Sequence, residues 1–379
     1  GTGSDLQYTY DPFSGQLRLT TTQDVANAAR VVDYLPHMDF QMSYGTPSEV
    51  PLEQVFQTEF VEMTKNSTKP IIFTSDNGPD SRRIIEMAAV VAGGLDKLRD
   101  RPYLIGYSQP TSPLRHSGNG LSKLLVCAEL GIPVCYPPGL FLGGNCPTTM
   151  AGAITQSLAE ALSALVIHQA KNPKEPIILG GSHGCLDMKT SIFVYASPEK
   201  MLTEAVLGAI YQSFGLPTWG HGGCTDAQIL DQQAGAEFGL LTLWAPLSGV
   251  NLAHDVGYMG SGMIGDLRAV VFNNELNGYV RHALNRGLVV NDETRAIEIM
   301  ERLGPGCNFL TDKHTFQHFK TELWFPELSN RSRLETWTQQ GRKTMNDRLA
   351  EKVKEILESH QPQPLSSEVA RELDQMLAD

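Results

Sequence analysis

Apolar positions along the chain follow two alternating rhythms. Short apolar runs recur at residues 40–44, 70–75, 103–108, 133–136, 176–180, 216–219 and 248–252 and predict strands. Between them, apolar residues spaced three and four apart predict helices over 80–92, 120–130, 148–170, 198–214 and 227–241. The 148–170 segment is the clearest, with Ile154, Leu158, Leu162, Leu165 and Gln169 on one stripe. Several strands begin at Pro or Gly-x-Pro and are apolar throughout, as buried parallel strands are.

Ahead of this alternation, residues 7–20 read as a hairpin, Tyr8 and Tyr10 before an Asp11-Pro12-Phe13-Ser14-Gly15 turn and Leu17 and Leu19 after it. Thr21 or Thr22 then caps a helix from Asp24 that turns Val25, Ala28, Val31 and Val32 inward. After the last strand come a long helix over 267–285, a charged, aromatic-containing segment over 314–337 and an amphipathic helix over 342–359. The last of these lines up Met345, Leu349, Val353 and Ile356. A Gln361-Pro362-Gln363-Pro364 linker leads to a final helix capped by Ser366 or Ser367. No internal repeat is present.

This order predicts an α/β fold. Seven strands with crossover helices are one short of a (β/α)8 TIM-type barrel, and an open doubly wound sheet is the rival. No Gly-x-Gly-x-x-Gly follows the first strand, which favours the barrel. The expected division is a barrel over 1–330, its first strand incomplete, and a C-terminal helical extension over 331–379 packed on it. The opening Gly1-Thr2-Gly3-Ser4, without Met, leaves room for a truncated or cleaved upstream segment.

Composition narrows the function classes. Of 379 residues, 41% are hydrophobic and 19% charged, enough for a large core, and the net charge of −12 disfavours a nucleic-acid partner. No apolar run approaches the ~20 residues that cross a bilayer, and no signal-peptide pattern opens the chain. The six cysteines are scattered singly, which points to reduced thiols and the cytoplasm.

In a barrel the loops after the strands form the active face. Those ends carry Tyr44; Ser75, Asp76 and Asn77; Ser108 and Gln109; Tyr136, Pro137 and Phe141; His183 and Cys185; Trp219, His221 and Cys224; and His254, Asp255 and Tyr258. Arg115 and Lys189 lie a few residues further on. His183-x-Cys185, His221-x-x-Cys224 and His254 are zinc-type residues, but their spacings match no recognised signature, so packed cysteines and no bound metal are expected. Lys189 reads as a solvated lysine rather than a Schiff-base nucleophile. Gly222-Gly223 as a phosphate cradle loses to Asp226 as an N-cap. Trp219, Tyr258, Phe141 and Tyr44 suit an aromatic cage for a quaternary ammonium, each ring worth ~0.5–2 kcal/mol.

Several segments, in this order, resemble the trimethylamine methyltransferase family. They are Leu124-Leu125-Val126-Cys127-Ala128-Glu129-Leu130-Gly131-Ile132-Pro133-Val134, Thr148-Thr149-Met150-Ala151-Gly152-Ala153, Gly215-Leu216-Pro217, Gly222-Gly223-Cys224-Thr225-Asp226-Ala227 and Gln233-Ala234-Gly235-Ala236-Glu237. Gly304-Pro305-Gly306, Phe309-Leu310 and His314-Thr315 complete the set. The resemblance implies an eight-stranded barrel and methyl transfer from a methylated amine to the cobalt of a separate corrinoid protein. Cobalamin would then be carried by that partner and not bound permanently by this chain.

Trimethylamine enzymes of the family use pyrrolysine, whereas this chain has only the twenty standard residues. It therefore looks like the non-pyrrolysine branch, whose substrates include glycine betaine, proline betaine and carnitine. A quaternary nitrogen leaves as a neutral tertiary amine, so no group need first protonate it. His254, His221 or Gln109 would donate to the betaine carboxylate, His254 foremost. The family commonly has an acidic residue where Gly260 stands, and Asp266-Leu267-Arg268 also differs, which puts the pocket's shape in question. The alternatives are a zinc-assisted thiol or alcohol methyltransferase and a betaine-binding barrel without turnover. The C-terminal helices are expected to pack on the barrel rather than dock the corrinoid protein, and a homo-oligomer is left open.

Overall fold

The computed structural model describes residues 1–378. Its centre is a curled, all-parallel sheet of six short strands. In spatial order they are Ile71–Phe73, Leu104–Tyr107, Val134–Cys135, Ile177–Gly180, Thr218–His221 and Leu252–His254. Crossover helices include Gly78–Ala92, Gly118–Leu130, Met150–Lys171, Pro198–Ser213 and Gln232–Leu247.

The pleat explains why these strands are apolar throughout. Ile71, Phe73, Val134, Ile177 and Leu179 face outward into the cluster shared with the helices. Their neighbours Ile72, Cys135 and Ile178 face inward with Phe40, Met42 and Trp219. The inner side is thus filled by side chains, as barrel interiors are.

The six strands are half of a barrel rather than a closed ring. Gln41 extends the curl through a parallel bridge to Ile71. Residues 1–3 span the remaining gap by hydrogen bonds: the Gly1 ammonium donates to the Ala253 carbonyl, Val256 N–H donates to Gly1 and Tyr44 N–H to Gly3, and Thr2 pairs its hydroxyl with the Met42 backbone.

One expected helix and the strand after it shift toward the C-terminus. Gln232–Leu247 starts later and runs longer than the 227–241 expectation, because Asp231 rather than Asp226 caps it, accepting from Gln233 and Ala234 N–H. Its end at Ser248 and the left-handed Gly249 delay the following strand to Leu252.

Two smaller sheets frame the open end of the main one. The hairpin Tyr8–Tyr10 with Leu17–Leu19 forms where expected and joins Tyr258–Met259 and Ile264–Gly265. The other has no counterpart in the sequence reading: Gly139–Leu142, Ser182–Leu186 and Phe193–Val194 form a three-stranded flap.

The C-terminal helices pack back on the body. Met345–Ser359 buries Leu349, Val353, Ile356 and Leu357 against Thr22–Tyr34 and Leu267–Asn285, and Ser367–Ala378 inserts Leu373 beside Val55–Asn66 and Gly78–Ala92. Contrary to the expectation from apolar runs, one helix among the described residues, Met150–Lys171, is long and apolar enough to cross a membrane. Here its face of Ala153, Ser157, Glu160, Ala161, Ala164 and His168 is buried, next to the helices Gly118–Leu130 and Pro198–Ser213.

Candidate functional site

A cavity of about 410 Å³ opens at the C-terminal ends of the last two parallel strands, under the flap. Its floor follows from strand register. His221 and His254 are paired positions on neighbouring strands, so their rings share one face, with centroids 4.7 Å apart. Two residues before His221, Trp219 points the same way and supports His254 from below at 4.2 Å.

Hydrogen bonds fix both imidazoles. His254 Nδ1 lies 2.7 Å from the Gly220 carbonyl oxygen. A carbonyl only accepts, so Nδ1 carries the proton and Nε2 presents a bare lone pair to the cavity. His221 Nδ1 sits 3.3 Å from a Glu204 carboxylate oxygen, which also accepts the His221 backbone N–H. The Lys200 ammonium lies 3.6 Å from that carboxylate in a layer almost without solvent, the two side chains being 1% and 5% exposed. Burial holds both histidines neutral, driving His254 down to about 3 and His221 well below its ordinary range, with Lys200 adding to the effect.

Between the two rings stands Asp255. Its carboxylate oxygens lie 3.4 Å from His254 Nε2 and 3.7 Å from His221 Nε2. Its backbone is left-handed, with φ of 60°, a local strain that functional sites tend to hold. Burial raises its carboxyl to about 7, against the hydrogen bond that the Tyr195 hydroxyl donates at 3.2 Å.

The walls are aromatic. Phe141, Phe193 and Tyr195 come from the flap and its exit, in edge contacts at 6.1 and 4.9 Å. Tyr258 closes the far side, 6.4 Å from Tyr195, and Tyr107 stands 6.5 Å from His254. Phe193 fits because Gly184 lies beneath it: a Cβ there would come within 2.3 Å of the ring. Tyr195 is anchored by Asp226, whose carboxylate accepts the backbone N–H groups of Tyr195 and Ala196, both at 2.9 Å, and the Ser261 hydroxyl. Among the described residues no lysine or arginine lines the cavity, while Asp5 and Asp255 do. The site is therefore built to accept positive charge flanked by rings.

Of the sequence candidates, His254, His221, Tyr258, Phe141 and Gln109 line the cavity. Trp219 and Tyr44 stand behind it. Trp219 is 1% exposed under His254, and Tyr44 is buried behind Tyr258, its hydroxyl accepting the Asp266 N–H. With its pocket-facing Nε2 unprotonated, His254 accepts rather than donates, as does His221. The donor role expected of them toward a carboxylate does not match these tautomers.

Of the His/Cys zinc set, His221 and His254 converge but the cysteines do not join them. Cys185 contacts Ser197 and Glu199, and Cys224 is buried in the cluster around Val256 and Val270. Lys189 lies exposed in the flap turn, and Gly222 donates its N–H to His254 rather than to an anion. Gly260 does not line the cavity. Its φ of 56° and the nearby Ile264 and Gln228 side chains explain the glycine, while Gly262 is the one that reaches the wall. Sequence reasoning missed Phe193, Tyr195 and Tyr107 and assigned no role to Asp255. The alternation in Ile192-Phe193-Val194-Tyr195 after the Thr190-Ser191 turn was the available signal.

A curled parallel sheet with an aromatic, cation-accepting cavity at its C-terminal strand ends defines a small-molecule pocket of the α/β enzyme type. Residues 9–379 match the model of the trimethylamine methyltransferase (MTTB) family, and the chain belongs to that family.

It is 31% identical over 363 residues to trimethylamine methyltransferase MttB of Desulfitobacterium hafniense (strain DSM 10664 / DCB-2), covering 96% of this chain and 73% of that protein. It is 28% identical over 382 residues to the glycine betaine methyltransferase of Desulfitobacterium hafniense (strain Y51), covering 100% and 78%. To trimethylamine methyltransferase MttB of Methanosarcina barkeri (strain Fusaro / DSM 804) it is 31% identical over 355 residues, covering 93% and 71%. With only the twenty standard residues, it is consistent with the non-pyrrolysine branch.

Proposed function

We propose that this chain demethylates a small quaternary amine, glycine betaine first among candidates, and passes the methyl group to cob(I)alamin on a separate corrinoid protein. The observation that carries the reading is the cavity itself: five aromatic rings and two aspartates around a space that, among the described residues, no lysine or arginine lines. Rings and carboxylates attract a fixed organic cation without supplying a proton it does not need.

About 410 Å³ accommodates a small amine but not a corrin macrocycle, which supports a corrinoid held by a partner outside the pocket. The reduced cobalt supplies the nucleophile that takes the methyl carbon. The chain's own residues bind the ammonium, turn one methyl toward the mouth beside Ser4, Asp5 and Gln109, and hold it there. Such orientation is the main contribution a protein can make to an in-line displacement whose leaving group departs neutral.

The reading includes a closed (β/α)8 barrel with residues 1–3 in the eighth position, supported by their hydrogen bonds to Val256, Met42 and Tyr44. It also places the protein in the cytoplasm, supported by six unpaired cysteines.

The test is a spectral assay with reduced cobalamin, the purified protein and a panel of betaines and methylamines. Methylcobalamin from glycine betaine is the expected product. Product from trimethylamine alone overturns the reading, and betaine binding without product makes the chain a binding protein. A second reading, metal-assisted transfer from a thiol or alcohol, is favoured by the convergence of His221, His254 and Asp255. The same panel, extended to methanol and methylated thiols, separates it.

A further inference from the structure

The cavity floor poses a problem that proton counting makes plain. Both histidines donate Nδ1–H away from the cavity, to Gly220 and to Glu204, so both Nε2 atoms are lone pairs aimed at Asp255. The Asp255 oxygens opposite them, at 3.4 and 3.7 Å, are acceptors as well. With Asp255 ionised, these acceptors face one another and need a proton or a cation between them.

We propose that His221, His254 and Asp255 hold a divalent transition metal, zinc by their chemistry, and that its open position takes the carboxylate of the zwitterionic substrate. The carboxylate part rests on the betaine reading; the metal part does not.

Geometry supports a metal. The three ligand atoms lie within 4.8 Å of one another. Tetrahedral zinc with bonds of about 2.1 Å spaces its ligand atoms roughly 3.4 Å apart; one Asp255 oxygen stands 3.4 Å from His254 Nε2 and the other 3.7 Å from His221 Nε2. The surroundings fit too. Zinc-bound histidines hand their other N–H to a carboxylate or backbone carbonyl, which fixes tautomer and ring direction. Glu204 and Gly220 do this here. Two nitrogens and one oxygen leave a fourth position, as catalytic and ligand-binding zinc sites do. Trp219 beneath His254 holds that ring in place.

The substrate side agrees. A betaine carries a carboxylate as well as its ammonium, and among the described residues no arginine or lysine lines the cavity to receive it. Lys200 is engaged with Glu204 in the layer below. A metal at the floor receives the carboxylate while the rings and Asp5 nearer the mouth receive the ammonium. The zwitterion is thereby aligned along the cavity with its methyl groups outward.

The test uses the full chain, stripped with a chelator and titrated with Co²⁺ and with Zn²⁺. One equivalent bound, with visible d–d bands of a four-coordinate nitrogen and oxygen site, is expected. His221→Gln and Asp255→Asn should each weaken Co²⁺ binding at least about tenfold, since lost ligands cost no less than lost supporting contacts. His183→Gln, which changes a buried histidine outside the cluster, should leave it intact. Circular dichroism checks that each variant is folded. No d–d band and no stoichiometric uptake by the wild type overturns the site in favour of a proton shared by Asp255 and His254. Wild-type spectra in folded His221→Gln and Asp255→Asn overturn it equally.

Glycine betaine should then shift the cobalt bands, whereas choline, with an alcohol for the carboxylate, should not. Identical responses to the two overturn the carboxylate role. Methylcobalamin formation from betaine by metal-free protein would remove the metal while leaving the proposed function standing.

Discussion

The imidazole of His254 rests on the indole of Trp219, their centroids 4.2 Å apart, and this contact ties the interior of the sheet to the floor of the cavity. Trp219 also touches Phe40 and Tyr107, so one buried ring supports several others. Trp219→Ala should cost about 3–5 kcal/mol of stability, the range for deleting a large buried aromatic. Urea unfolding measures it, and a loss below about 1 kcal/mol would show that the contact is idle.

Phe193 belongs to the wall rather than the core, since it meets Phe141 and Tyr195 edge-on and lies over Gly184. Phe193→Leu keeps the volume roughly and removes the π face. Calorimetric titration with glycine betaine should show a Kd raised about 2- to 30-fold, the equivalent of ~0.5–2 kcal/mol. An unchanged Kd takes Phe193 out of the cage.

Asp226 holds the exit of the flap by two backbone N–H groups and a hydroxyl. Removing a charged acceptor from such donors costs about 1.5–3 kcal/mol. Asp226→Ala should therefore loosen residues 193–196 and weaken cation binding while the parallel strands stay protected. Hydrogen exchange resolved by segment checks this; uniform loss of protection contradicts a local role.

Asp33 fastens the C-terminal helices, meeting His360 at 2.7 Å and the Thr68 N–H at 2.7 Å. Burial works against its charge, but the Thr68 and His360 hydrogen bonds prevail and hold the carboxyl below its ordinary 3.8. A depressed acid stabilises the fold above its unfolded value, and that contribution is lost as pH falls through the folded one. Asp33→Asn should be destabilising near neutral pH, and its deficit should shrink below about pH 4. A deficit independent of pH across that range would contradict the linkage.

Parts of this architecture were legible in residues alone. The alternation of apolar runs gave the parallel strands, because both faces of each are buried. His221 and His254 stood out for the same reason: each ends an apolar strand. Trp219 and Tyr44 looked equally suitable, yet one lies a pleat repeat below the floor and the other behind Tyr258, a depth that sequence spacing does not encode. The flap escaped notice because its strands are two to five residues long and interrupted by glycine, and Phe193 and Tyr195 were lost with it. Asp255 was visible as a residue but not as a partner, since its position between two rings depends on a left-handed backbone.

The flap and the floor come from different parts of the chain and are held by different forces. Hydrogen-bonded parallel strands and a packed interior fix His221 and His254, whereas Phe141 and Phe193 ride on short surface strands fastened at Asp226. Surface segments tolerate replacement far better than a packed interior does. Selection can therefore exchange one wall for another around an unaltered base, so related chains could diverge in the amine they admit while keeping the same histidine pair.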